Sequence, residues 1–180
     1  MKRKGLFLDR DGVINVNHGY VHRIEEFEFI DGIFDLTRLA LSKDYVICVV
    51  TNQAGIGRGY YTESDFDHLT SWMCGQFKAE GVIIDKVYHS PYHPVHGLGQ
   101  YKKDHISRKP NPGMLKQAMV ELEIDICASV LIGDNVTDIQ AGFSAGIEKK
   151  LYLGSNDISQ NRGLGNYFSI SHLNDACAYL

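Results

Sequence analysis

Apolar runs of strand length alternate with amphipathic stretches of helix length along this chain of 180 residues. The run at 45–51, Tyr-Val-Ile-Cys-Val-Val-Thr, is apolar almost throughout, as expected for a strand covered on both faces. The alternation predicts an α/β fold, a three-layer, Rossmann-like parallel sheet with helices on both faces. Similar runs predict strands at 6–9, 83–88, 129–132 and 147–153, and helical spacing predicts helices at 31–42, 62–80, from 112, at 136–145 and after 171.

The composition is that of a globular protein with a single domain, which we place at residues 1–180. Apolar residues make up 44% of the chain, and the net charge of -4 provides no basic surface for nucleic acid or an anionic membrane. No apolar run is long enough for a transmembrane helix, and the basic start is followed by too few apolar residues for a signal peptide. Four scattered cysteines favour reduced thiols and a cytoplasmic location. The small fold without an obvious apolar patch predicts a monomer.

Two carboxylates stand at the end of the first predicted strand, where one residue separates Asp9 from Asp11 and Gly12 follows. On an extended chain residues i and i+2 point to the same side, so both side chains are expected to project together. Adjacent carboxylates repel one another, which favours a cation between them, and hard oxygen ligands are what Mg²⁺ prefers. The pair therefore predicts a metal site with a carboxylate nucleophile beside a carboxylate proton donor. The alternative is a strand that ends in a polar Asp-Gly turn.

Polar residues also follow other predicted strands, at the edge where parallel sheets bind ligands. Thr51 and Asn52 open a stretch with three glycines at 51–59, which offers hydroxyl, amide and backbone N–H groups to a phosphate. Arg108 and Lys109 precede a predicted helix and would grip or neutralise a phosphate. The alternatives are an ordinary glycine-rich loop and a solvated basic pair.

The fourth polar segment begins with Gly-Asp after an apolar strand, so Asp134 repeats the setting of Asp9 and would add a metal ligand. Its alternative is a helix N-cap at Asp134 or Asn135. In their order along the chain, the carboxylate pair, the strand-end Thr-Asn, the basic residue before a helix and this Gly-Asp resemble the haloacid dehalogenase (HAD) superfamily of phosphohydrolases.

The resemblance implies that Asp9 attacks phosphorus and forms an aspartyl-phosphate, while Asp11 protonates the leaving oxygen and then activates water. The implied cofactor is Mg²⁺, held by Asp9, the backbone carbonyl of Asp11 and Asp134, with Asp138 orienting these ligands. The residues implied to stabilise the transferring phosphoryl oxygens are Thr51, Asn52 and Lys109.

The segments at 7–15, 17–22, 27–32, 51–59 and 108–110 resemble a narrower family, the D-glycero-D-manno-heptose 1,7-bisphosphate 7-phosphatases of the histidinol-phosphatase-like subgroup. This resemblance implies removal of the 7-phosphate from a phosphorylated sugar, in the nucleotide-activated heptose biosynthesis that supplies lipopolysaccharide, by a fold without a separate cap domain. A second phosphate needs its own donors, for which Arg58 and Arg108 are the candidates. The full set of candidate substrate contacts is Asn17, His18, Gly19, Tyr20, Asn52, Gln53, Ala54, Arg58, Arg108 and Asn135.

The polar loop expected at 90–107, beside the active site, departs from that family. Many members hold a structural zinc with Cys-Pro-His-His-Pro and Cys-x-Cys, whereas this chain has Ser-Pro-Tyr-His-Pro and His-Ile-Ser. Because hydroxyl side chains do not make an ordinary zinc site, we predict no stoichiometric zinc, although other histidines of the loop leave room for an improvised one. The positions concerned are Ser90, Tyr92, His105 and Ser107.

Three other functions share part of the pattern. Histidinol-phosphate phosphatases carry the same motifs, and the altered loop and Asn135, where the family often has Lys, leave that alternative open. Polynucleotide 3′-phosphatases also use Thr-Asn-Gln followed by Gly and Arg, but the net charge of -4 counts against a nucleic acid substrate. A catalytically silent sugar-phosphate-binding or scaffold protein is disfavoured because every predicted catalytic residue is present.

Overall fold

One sheet of six parallel strands organises the computed structural model, which describes residues 2–180. The strands are β1 Arg3–Leu8, β2 Tyr45–Asn52, β3 Lys86–Ser90, β4 Ile124–Gly133, β5 Lys149–Leu153 and β6 Phe168–Ile170. Their order across the sheet is β3-β2-β1-β4-β5-β6, and every neighbouring pair is parallel. The winding direction therefore reverses between β1 and β4, and in such sheets ligands bind beyond the strand ends at this point.

Helices and 3₁₀ turns connect the strands. The α-helices are α1 Ile33–Ser42, α2 Ala54–Gly57, α3 Glu63–Ala79, α4 Gly113–Glu121 and α5 Val136–Ala145, and the 3₁₀ turns are Ile24–Glu26, Gly99–Tyr101 and Leu173–Tyr179. The predicted start and end of α3 are confirmed. The Thr62 hydroxyl accepts a hydrogen bond from the backbone N–H of Asp65, and Gly81 follows the helix with a φ of +79°.

Both faces of the sheet are buried, which explains why the central strands are apolar throughout. Leu6 and Leu8 of β1 pack into one core with Phe77 of α3, whereas Phe7 packs into the opposite core with Leu115 of α4. All three β1 side chains are fully buried. The prediction of a three-layer parallel α/β fold is therefore confirmed. Within residues 2–180, no helix is long and apolar enough to span a bilayer.

The fourth strand begins at Ile124, earlier than the predicted range of 129–132. Its first residues were not predicted because polar residues interrupt the apolar pattern there. The pairing of β1 with β4 shifts register between Lys4 and Leu6. At this irregularity the backbone N–H of Gly5 donates to the Ser129 hydroxyl, which in turn donates to the carbonyl of Asp125. A side-chain hydroxyl thus takes the place of a backbone partner.

Other boundaries also differ from the predictions. The third strand is 86–90 rather than 83–88, α2 lies within the glycine-containing stretch at 51–59, and the short strand β6 was not predicted. The predicted cap at Asn111 is wrong, since its side-chain amide donates to Asp104 and to the carbonyl of His105, and α4 begins at Gly113. The predicted cap at Ser171 is wrong, since the N-cap of the last 3₁₀ turn is His172, and Asp175 in its first turn accepts from the backbone N–H of Ser171 and of His172.

Candidate active site

A polar cavity of about 390 Å³ opens at the carboxyl ends of β1, β2 and β4. It joins all four segments that the sequence analysis singled out. Its volume suits a phosphorylated metabolite. The lining residues are Asp9, Asp11, Asn17, Gly19, Tyr20, Thr51, Asn52, Gln53, Ala54, Tyr61, Arg108, Lys109, Asp134, Asn135 and Thr137.

The buried ammonium group of Lys109 forms the base of the cavity. Its Nζ lies 2.9 Å from Asp9 Oδ1 and 2.5 Å from Asp138 Oδ1, and it donates to the carbonyl of Val50 at 2.8 Å. Burial opposes the charged form, but Asp138 and Asp9 raise the pKa of Lys109. Lys109 therefore stays cationic and holds Asp9 in a fixed position.

A third carboxylate, from Asp134, completes an acidic cluster with Asp9 and Asp138, and one oxygen of each lies within 4.8 Å of the others. Burial and then Asp138 raise the pKa of Asp9 to about 7, and burial and then Asp9 raise the pKa of Asp134 to about 6. Burial also raises the pKa of Asp138. When all three carboxylates are ionised, the single ammonium group leaves two negative charges uncompensated. One divalent cation would neutralise them.

Close packing brings the first and fourth segments together at Gly12. Its φ is +91°, and a Cβ atom there would overlap the carboxylate of Asp134. Only glycine allows both the backbone conformation and this approach. The glycine of the Asp-x-Asp-Gly motif thus has a steric role in the cluster.

The carboxylate of Asp11 lies in the same cavity but makes different contacts from Asp9. It accepts from Arg10 Nη2 at 2.8 Å, from the side-chain amide of Asn15 at 3.1 Å and from that of Gln53 at 3.0 Å. The strand ends at Leu8, so the alternation of an extended chain does not continue to Asp11. The partners that accompany Asp9 in the acidic cluster are consequently carboxylates of the fourth segment rather than Asp11.

Arg10 is a buried residue that the sequence analysis missed. Its side chain is 1% exposed, and Nη2 also donates to the carbonyl of Val21 at 2.6 Å. The sequence could have indicated this role. An arginine between two carboxylates at the end of an apolar strand is expected to form an ion pair with one of them.

Thr51 and Gln53 line the cavity and belong to a second buried hydrogen-bond network. The Gln53 amide donates to the Thr51 hydroxyl at 2.9 Å, and its carbonyl accepts from the Tyr61 hydroxyl at 2.5 Å. Tyr61, which was also missed, lines the cavity and stacks on His22. Nothing in its local sequence distinguishes it from a core aromatic residue.

Asn52 holds the backbone of Lys109 rather than pointing free into the cavity. Its amide nitrogen donates to the Lys109 carbonyl at 3.1 Å, and its oxygen accepts from the Lys109 N–H at 3.0 Å. These reciprocal bonds join the second segment to the third. Asn52 therefore fixes the lysine that fixes Asp9.

The predicted substrate residues divide into two groups. Asn17, Gly19, Tyr20 and Ala54 line the cavity, whereas His18 pairs with Glu28 at 3.4 Å outside it. Asn135 caps α5 by accepting from the N–H of Thr137, and both residues reach the cavity wall. The N-cap alternative is therefore correct for Asn135.

Two arginines stand near the outer part of the cavity. Arg108 is half-buried and lines it, while Arg58 does not, although its guanidinium lies 5.6 Å from the ring centre of Tyr20. Burial and then the nearby positive charge of Arg58 lower the pKa of Arg108. Two neighbouring cations of this kind favour an anion beside them.

Comparisons with known proteins agree with this geometry. Residues 106–161 match the family model described as HAD-hydrolase-like. Over 160 residues the chain is 53% identical to D-glycero-alpha-D-manno-heptose-1,7-bisphosphate 7-phosphatase of Burkholderia mallei, which covers 89% of this chain and 85% of that protein. Over 151 residues it is 46% identical to D-glycero-beta-D-manno-heptose-1,7-bisphosphate 7-phosphatase of Vibrio cholerae, with 84% and 81% covered.

Solved structures show the same fold. A HAD-like phosphatase from Mesorhizobium loti superposes with a TM-score of 0.87 and 34% identity, covering 99% of this chain and 86% of that one. D,D-heptose 1,7-bisphosphate phosphatase from B. bronchiseptica, solved with magnesium and phosphate, superposes with a TM-score of 0.84 at 22% identity, covering 97% and 96%. The predicted HAD-like fold is thus confirmed.

Proposed function

Because the chain belongs to the D-glycero-D-manno-heptose-1,7-bisphosphate 7-phosphatase family of HAD-like hydrolases, we propose that it removes the 7-phosphate from this sugar bisphosphate. The observation that carries the proposal is the placement of Asp9, a buried carboxylate fixed by Lys109 at the base of a polar cavity. A fixed carboxylate of this kind is suited to attack phosphorus.

In the proposed reaction an oxygen of Asp9 forms a bond to phosphorus while the bond from phosphorus to the sugar O7 breaks. Asp11 gives a proton to O7, and then takes a proton from the water that attacks the aspartyl-phosphate. Inorganic phosphate leaves and Asp9 is restored. Lys109 and Thr51 stabilise the negative charge on the phosphoryl oxygens during both steps.

The acidic cluster fits Mg²⁺, because it offers hard oxygen donors and two uncompensated negative charges. We propose that Asp9, Asp134 and the backbone carbonyl of Asp11 hold the ion, and that Asp138 orients this set through Lys109 and the backbone N–H of Asn135. When bound, Mg²⁺ would offset the repulsion between the carboxylate of Asp9 and the anionic phosphate.

The second phosphate of the substrate needs a cationic site away from Asp9. We assign this role to Arg108, which lines the cavity, with Arg58 beside it. The Nε of Arg58 is buried and has no hydrogen-bond partner within residues 2–180, so one donor of this guanidinium is unsatisfied. Recognition of both phosphates would separate this substrate from simple monophosphates.

Phosphate release in the presence of Mg²⁺ tests the proposal. The substrates are the α and β anomers of the heptose 1,7-bisphosphate, histidinol phosphate and a 3′-phosphorylated oligonucleotide, with Asp9→Asn as the blank. We expect kcat/KM for one heptose anomer to exceed that for the other substrates by at least about tenfold. Equal or faster turnover of histidinol phosphate or of the oligonucleotide would overturn the assigned substrate.

A further inference from the structure

A hydrogen-bonded cluster ties the two ends of the segment between β3 and α4. The hydroxyl oxygens of Ser90 and Ser107 lie 3.0 Å apart, and Ser107 Oγ lies 2.7 Å from His105 Nδ1. The rings of His105 and Tyr92 pack against each other, with centres 4.1 Å apart and planes tilted by 31°. We call these four residues the loop cluster, and they occupy the positions at which the sequence departs from its family.

Ser107 holds the His105 ring within the loop cluster. The backbone N–H of Ser107 donates to His105 Nδ1 at 3.2 Å. The Ser107 hydroxyl donates to the fully buried hydroxyl of Ser90 at 3.0 Å. Removing the Ser107 hydroxyl would leave buried Ser90 without this partner.

The loop cluster is hydrogen-bonded to Arg108 through the backbone carbonyls of its two ring-bearing residues, His105 and Tyr92. The backbone N–H of Arg108 donates to the carbonyl of His105 at 2.9 Å, and Nη1 donates to the carbonyl of Tyr92 at 3.0 Å. One bond fixes the main chain of Arg108 and the other fixes its guanidinium. The packing of His105 on Tyr92 sets the distance between these two acceptors.

From this arrangement we infer that Ser107 and His105 are positioning residues that aim the Arg108 guanidinium at the second phosphate of the substrate. The inference rests on the proposed function, in which Arg108 binds that phosphate. Neither residue lines the cavity, so neither touches the reacting atoms. Their effect would therefore appear in substrate binding and not in the chemical step.

The test compares two substrates in the intact protein with Mg²⁺, the heptose bisphosphate and p-nitrophenyl phosphate, which lacks a second phosphate. Ser107→Ala is expected to raise KM for the bisphosphate by about tenfold, with kcat within about twofold of wild type. Both constants for p-nitrophenyl phosphate should stay unchanged. Ser107→Thr keeps the hydroxyl and should restore KM, and Ser71→Ala, an exposed serine on α3, is the control.

A double-mutant cycle with Arg108→Ala decides whether Ser107 acts through Arg108. We expect Ser107→Ala to add nothing to the KM of Arg108→Ala. Additive effects, or a parallel loss with both substrates, would overturn the inference. If Ser107→Ala does not fold, His105→Phe replaces it, because a phenyl ring keeps the packing on Tyr92 and loses Nδ1.

Failure of the proposed function would look different. A wild-type protein that hydrolyses p-nitrophenyl phosphate but not the heptose bisphosphate would contradict the substrate assignment alone. The inference is then judged with fructose 1,6-bisphosphate as a competitive inhibitor of p-nitrophenyl phosphate hydrolysis. Its inhibition constant should rise equally in Ser107→Ala and Arg108→Ala, and an unchanged constant in Ser107→Ala would overturn the inference.

Discussion

The carboxylate of Asp9 is placed where three acidic side chains face one ammonium group. Its pKa is raised to about 7, by burial first and then by Asp138, so ionising Asp9 in the folded protein costs free energy that the unfolded chain does not spend. Without a bound cation the proposed nucleophile therefore opposes folding. Groups that destabilise the fold are common at functional sites.

Asp9→Asn is expected to lower turnover by on the order of 10³-fold or more, because an amide is a poor nucleophile toward phosphorus. It also removes one charge from the acidic cluster, so in EDTA at pH 8 it should unfold at the same temperature as wild type or higher. Phosphate release and thermal unfolding measure the two effects. Asp67→Asn, an exposed carboxylate on α3, should change neither. Near-normal turnover would refute the nucleophile, and a large loss of Tm would refute the electrostatic argument.

Lys109→Met should be strongly destabilising, since it leaves Asp9 and Asp138 buried without their cation. We expect a loss of about 3–5 kcal/mol in the free energy of unfolding at pH 8. At pH 5 the loss should be smaller, because both carboxylates can then take up protons. Urea denaturation at the two pH values measures this. Lys116→Met, on the exposed face of α4, is the control, and an equal loss at both pH values would contradict the charge-based explanation.

At the scale of elements, the turn after β1 and the end of β4 fit together only because residue 12 is glycine. Gly12→Ala would strain the backbone and displace the carboxylate of Asp134. We expect it to weaken Mg²⁺ binding by at least about tenfold, as measured by titration calorimetry. Gly81→Ala is the control, because Gly81 also has a positive φ, +79°, but has open space where a Cβ atom would lie. This variant should lose stability without losing Mg²⁺ affinity. Equal Mg²⁺ affinity in the two variants would show that the contact with Asp134 does not matter.

The loop between β3 and α4 gives an element-scale prediction about zinc. Ser107 is hydrogen-bonded to both Ser90 and His105, and the His105 ring packs on Tyr92. The segment therefore has a hydrogen-bonded means of holding its ends. We predict no stoichiometric zinc in the purified protein after a chelator wash, as measured by elemental analysis, and an unchanged Tm. One zinc per chain that survives the wash would contradict this.

Strands that are buried on both faces were predictable from the sequence. The residues of β2 and of the apolar part of β4 are almost all apolar, which indicates burial on both faces. The early residues of β4 were missed, since Ser129 satisfies a ladder N–H with a hydroxyl that no apolar pattern can indicate. At the site, the motif residues were found from their order along the chain. Asn52 was assigned to the substrate, but its bonds to Lys109 join residues that are far apart in sequence. Such partners are fixed by the fold and are invisible to local patterns.

At the scale of the whole molecule, the acidic cluster exists only when the sheet is complete. Asp9 follows β1 and Asp134 follows β4, and these strands are neighbours in the sheet although they are far apart in the sequence. The unfolded chain cannot hold both carboxylates around one ion. Mg²⁺ should therefore bind the folded state alone and stabilise the whole domain, by about 1.4 kcal/mol at ten times its Kd.

This stabilisation should depend on pH. The folded protein without metal keeps protons on Asp9 and Asp134. The unfolded chain, whose carboxyl groups have the ordinary pKa of 3.8, has already released these protons. The stability of the fold therefore falls as pH rises from about 4 to about 7. Mg²⁺ must displace these protons. Between pH 8 and pH 5.5 its Kd should rise by on the order of 100-fold, of which about 30-fold comes from Asp9 with a pKa of about 7 and about fourfold from Asp134 with a pKa of about 6.

Thermal unfolding with EDTA and with Mg²⁺ at the two pH values measures this linkage. At pH 8 and ten times Kd we expect Mg²⁺ to raise Tm by roughly 3–5 °C, and the same Mg²⁺ concentration should raise it by less than about 1 °C at pH 5.5. In Asp9→Asn the difference between the two pH values should shrink, because the group with the higher pKa is gone, whereas Asp67→Asn should behave as wild type. A Tm shift that is equal at both pH values in the wild-type protein would mean that Mg²⁺ does not bind at the buried carboxylates.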